Sequence, residues 1–83
     1  MKCINKTGVT IVINEKYVSS GTSYELQHHV FDTVNVHSDI GSCILTFEYT
    51  DLHIKEFGQL SAHKELIDGI WNIFFERKEK GYE

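Results

Sequence analysis

The residues of this chain equipped to do chemistry are five histidines, two cysteines and a dozen carboxylates, and their spacing decides which chemistry is open to them. His28, His29, His37 and His53, with Cys43 and Asp39, are the potential zinc ligands. A closed zinc site usually takes two close ligand pairs, Cys-x₂₋₄-Cys with His-x₃₋₅-His, and the chain has neither. Adjacent histidines on a strand point to opposite faces, so His28 and His29 share an ion only if a bulge turns them. The expectation is no metal and no cofactor. Cys43 alternates with core-type residues and has no flanking cation to lower its pKa, so it reads as buried and inert rather than as a nucleophile.

The element that would position the remaining candidates is the segment from Ser61 to Lys80. At about 100° per residue, Leu66, Ile67, Ile70, Trp71, Ile73, Phe74 and Phe75 fall on one side of a helical wheel and Glu65, Asp68, Asn72 and Glu76 on the other. Ser61 is placed as an N-cap after the break at Gly58. Arg77, Lys78 and Lys80 sit where a helix dipole favours cations, and Gly81 is a C′ terminator. An amphipathic helix over about 61–80 is therefore predicted, with Gly69 on its polar side at a cost of about 1 kcal/mol relative to alanine. His63 falls inside the apolar arc and is expected to face a sheet, where it and His37 would be the polar groups of a ligand pocket between sheet and helix. The arc spans roughly 200°, about twice the stripe that one layer covers. Its margin, with Ile67, Trp71, Phe75 and Lys78, is thus expected to form a protein interface, most simply a symmetric homodimer.

From about residue 2 to 57 the pattern has period two or short β-branched runs. Lys2–Asn5 and Val9–Asn14 flank Lys6-Thr7-Gly8, which reads as a three-residue hairpin turn. Asn14-Glu15-Lys16 and Ser20-Gly21-Thr22 are further turns around a strand at Tyr17–Ser19. Ser23–Phe31 changes parity at His28-His29, where a bulge is expected. Thr33–His37, Cys43–Tyr49 and Leu52–Phe57 continue the antiparallel meander, about five to six of whose short segments are expected to form the sheet, the last suited to an edge. With every strand preceding the helix, the predicted class is α+β, one domain over 1–83, the helix laid on the apolar face of a small sheet.

Composition bounds the function. A net charge of −4 disfavours nucleic acid, whose non-specific binding depends on clustered Lys and Arg. The start of the chain has no apolar signal core and no segment is long enough to span a bilayer, so a soluble cytoplasmic protein with reduced Cys3 and Cys43 is expected. The Asn5-Lys6-Thr7 glycosylation triplet then has no role. With no convergent catalytic group, the leading reading is a non-catalytic protein-binding module of the inhibitor, immunity or adaptor kind that occludes a partner. The alternative is a small-ligand or nucleotide-binding protein using His37 and His63, and a minimal histidine enzyme comes third. In composition alone the chain looks like the small accessory proteins of phages and mobile elements.

Overall fold

The computed structural model describes residues 1–27, 32–49 and 51–78. These form nine strands: β1 (Lys2–Lys6), β2 (Ile11–Ile13), β3 (Lys16–Val18), β4 (Ser23–Glu25), β5 (Thr33–Ser38), β6 (Gly41–Phe47), β7 (Leu52–Gly58), β8 (Leu60–Ile67) and β9 (Ile70–Arg77). They build two sheets, one of four strands in the order β4-β1-β9-β8 and one of five in the order β3-β2-β5-β6-β7. Val34, Val36, Cys43, Leu45 and Phe47 from the five-stranded sheet meet Cys3, Leu60, Ile73 and Phe75 from the four-stranded one in a single apolar cluster. Each strand therefore turns alternate side chains to the other sheet, as a sandwich requires.

The predicted α+β class and its C-terminal helix are overturned, because there is no helix among the described residues. Ser61 to Arg77 is instead an antiparallel hairpin in which Ala62 opposes Phe75, Lys64 opposes Ile73 and Leu66 opposes Trp71. The cause is the dipeptide Asp68-Gly69. Both residues have positive φ, 51° and 76°, the two-residue turn whose twist matches that of paired strands and for which Asp-Gly is a preferred sequence. What reads as a tolerated glycine on a helix is the reversal of the chain. The roughly 200° apolar arc has the same origin, since a strand with apolar residues on both faces spreads them around a helical wheel. The Lys80 end, with Gly81, lies outside the described residues, as does the bulge expected at His28-His29.

The single meander is likewise corrected. β1 pairs with β4 and, in parallel, with β9, while β2 pairs with β3 and β5 in the other sheet. Lys6-Thr7-Gly8 thus carries the chain between sheets instead of closing a hairpin. The turn at Asn14-Glu15, the buried faces of β5 and β6 and the edge position of β7 agree with the sequence reading. A second crossing runs from β7 to β8 through Gln59, whose N–H donates to the Ile40 carbonyl at 2.7 Å. It passes so close to Gly41 that a Cβ there would lie 2.2 Å from the Phe57 carbonyl oxygen.

At the first crossing the buried side chain of Asn5 ties the two layers. Its Nδ2 donates to the carbonyls of Val9 and Val18, both at 2.8 Å. Its Oδ1 accepts from the Thr7 N–H at 2.9 Å and the Thr7 hydroxyl at 2.7 Å. The side-chain amide of the glycosylation triplet is therefore enclosed in the folded protein. Asn5→Ala strands these buried groups and is expected to lower unfolding stability by about 3 kcal/mol, measured in urea. A loss below about 1 kcal/mol would show that the network is replaceable.

Candidate functional site

β9 lies between β1 and β8, but the register with β1 begins at Lys2 opposite Asn72. Ile70 and Trp71 therefore run past the end of the sheet, and the apex of the hairpin overhangs it. Leu66 is 60 % exposed, Ile70 55 % and Ile67 44 %, an accumulation of bare aliphatic surface that isolated chains seldom carry in one place. The pairing puts Leu66 and Trp71 on the face turned to the other sheet, and Ile67 and Ile70 on the outer face. The apex is apolar on both sides, with Glu65 and Asp68 exposed beside it.

Polar contacts hold the root of the hairpin. The Lys64 ammonium lies 3.0 Å from Asp51 Oδ1, donates to the Leu52 carbonyl and stands 5.5 Å over the Trp71 ring. Its hydrogen bond is the main reason that the Asp51 carboxyl is held below the usual range, with the Leu52 N–H adding to it. Further along, Glu56 Oε2 accepts from the Ala62 N–H at 2.9 Å and the Ser61 hydroxyl at 3.2 Å, and Glu56 Oε1 pairs with Lys78 at 3.2 Å. The Ala62 N–H, foremost, keeps the Glu56 proton affinity low. That bond also satisfies an outward amide of β8, which would otherwise be an open sheet edge.

The residues singled out from the sequence are dispersed by this geometry. Ile67 is exposed at the apex, Trp71 is half-buried beside it, and Lys78 lies at the other end of β9 in its pair with Glu56. Phe75 is fully buried in the core, so the Trp71–Phe75 margin and the pairing geometry built on it have no counterpart. His37 stands on the outer face of the five-stranded sheet, between the buried Val36 and the half-buried Ser38. His63 stands on the outer face of the four-stranded sheet, its ring 6.4 Å from Phe74 and its Nε2 3.1 Å from Glu65. The two histidines occupy opposite exteriors and share no pocket.

Burial pushes the Cys3 thiol up to about 12 and the Cys43 thiol up to about 11, so neither supplies a thiolate near neutrality. Among the described residues no three His, Cys, Asp or Glu side chains gather to hold a metal, and no helix is long and apolar enough to cross a membrane. Sequence reasoning passed over Leu66 and Ile70, which it assigned to the covered arc; the signal was Asp-Gly flanked by Leu-Ile and Ile-Trp. Comparison with protein-family models, curated proteins and solved structures finds no match.

Glu56 gives the hairpin root a pH dependence. Its pKa in the folded state lies below the usual glutamate value of 4.5, so its contribution is complete above that value and is lost as pH falls through the folded one. Glu56→Gln should therefore be less stable than wild type in urea at about pH 7, with the gap narrowing as pH falls below the usual glutamate value of 4.5. A gap unchanged across that interval would mean that the carboxylate charge contributes nothing.

Proposed function

We propose that this chain is a non-catalytic protein-binding module which acts by seating its β8–β9 hairpin apex in a partner and occluding the site it enters. The observation that carries this reading is the overhanging apex, with Leu66, Ile67 and Ile70 exposed together on a turn whose root is held by the contacts of Lys64 and Glu56. Because the apex is apolar on both faces, a cleft that closes around it buries more surface than a flat patch does. A standard interface uses about 20–30 residues a side, and the four apex side chains fall far short of that. This favours an enclosing heterologous partner over the second copy expected from the sequence. Glu65 and Asp68 beside the apex favour a cleft with a basic rim. The two unpaired, buried cysteines support a reducing, cytoplasmic setting.

The test is a photo-crosslinking residue at Ile67, introduced in cells that make the protein, followed by purification of the partner it captures. Leu66→Ser with Ile70→Ser should weaken binding of that purified partner by about 100-fold, as expected when two central anchors are lost. Unfolding stability should change by no more than about 0.5 kcal/mol, because both positions are exposed. A partner that binds the double variant as tightly as wild type, or an apex that crosslinks to no protein, would contradict the proposal.

A further inference from the structure

On the outer face of the five-stranded sheet, away from the hairpin apex, two grooves of about 490 and 240 Å³ meet at Val12 and His37. Thr10, Tyr17, Ser38 and Asp39 line the larger; Asn14, Glu15, Thr33 and Asn35 line the smaller. The register places Tyr17 opposite Val12 and Val12 opposite His37, so these three side chains form one row across adjacent strands. From Thr33 at the start of β5 to Asp39 just past its end the joined groove runs roughly 20 Å, at about 3.4 Å per residue.

The polar side chains that line the groove are largely open to a ligand, although several carboxylates elsewhere on the chain are tied up. Glu25, Glu48, Asp51, Glu56 and Glu65 are each paired with a cation or a histidine. His53 and His63 each hold a carboxylate. By contrast, the side chains of Asn14, Glu15, Asn35, His37 and Asp39 make no hydrogen bond or ion pair with any described residue. Tyr17, 82 % exposed, leaves the face of its ring bare at the groove wall.

We propose that this groove is a binding site for an extended neutral polyhydroxylated chain, an oligosaccharide. Two carboxylates, two amides, an imidazole and the threonine hydroxyls offer acceptors and donors in the mixture that sugar hydroxyls, which both donate and accept, can satisfy. An aromatic ring with a polar tip supplies the apolar contact that a pyranose face needs. Neither Lys nor Arg is among the described lining residues, which sets the site against phosphates and nucleic acids. The carboxylates stand singly at opposite ends, where an exposed charge contributes little, so a polycation gains less than a ligand that engages the whole row. The site is independent of the hairpin apex, and either proposal can fail without the other.

The experiment is an amide NMR titration of the full chain with hexasaccharides of glucose in α-1,4 and β-1,4 linkage, of mannose, of xylose and of N-acetylglucosamine, each at millimolar concentration. Spermine and a lysine-rich peptide are run in parallel. One or more sugars should shift resonances from Thr10 to Tyr17 and from Thr33 to Asp39. Tyr17→Ala and Asn35→Ala, both at exposed positions, should each raise Kd about tenfold, or 1.4 kcal/mol. Leu66→Ser with Ile70→Ser should leave the titration unchanged. No shift with any sugar, shifts insensitive to Tyr17→Ala, or groove binding by the cations alone would overturn the proposal.

Discussion

The rest of the structure depends on a backbone constraint at Asp68 and Gly69. Two successive residues with positive φ cannot continue a helix of L-residues, and they reverse a strand with the twist that pairing requires. Once the chain turns there, β9 returns beside β8 and its other edge is taken up by β1. Side-chain parity follows. Ile73 and Phe75 enter the core, and a slip of one residue would replace them with Phe74 and Glu76. The same turn leaves Leu66, Ile67 and Ile70 beyond the last rung shared with β1, so the fold and the exposed apex have one cause.

Polar contacts at the sandwich margin make that apex a fixed feature. Lys64 bridges from the middle of β8 to Asp51 and the start of β7, and Glu56 joins β7 to the β8 backbone and to Lys78 just past the end of β9. These bonds orient one sheet against the other where apolar packing alone is non-directional. They also occupy part of the outward side of β8, the longest edge strand among the described residues, with charged groups that discourage pairing with further strands. The apex and the groove beside His37 stand on different sheets.

Much of β2 to β7 was legible, because alternation in runs such as Cys43, Leu45 and Phe47 has one buried face and one explanation. The C-terminal segment was misread because its apolar residues satisfy two periods at once. Leu66, Ile67, Ile70, Ile73 and Phe74 recur at helical spacing, yet Ile73 and Phe75 are buried by strand alternation. The arbiters were local: Asp-Gly at the centre, and β-branched and aromatic residues through Ile70 to Phe75, which favour strands. The crossing of sheets after β1 had no comparable signal, since Lys6-Thr7-Gly8 suits a hairpin equally well and only the Asn5 network distinguishes the two. Of the site, Ile67 and Trp71 were singled out on a geometry that does not exist, while Phe75 was assigned to a surface it never reaches.

The most direct measurement of the central claim is a nuclear Overhauser spectrum of the C-terminal segment at neutral pH. Ala62 donates its amide away from β9, so Ala62–Phe75, Lys64–Ile73 and Leu66–Trp71 are the close, non-hydrogen-bonded pairs of the hairpin. Each should show a strong cross-strand Hα–Hα contact, with the Asp68 and Gly69 amides near one another at the turn. A continuous ladder of sequential amide–amide contacts from Ser61 to Arg77, without those Hα–Hα pairs, would restore the helix and contradict the account.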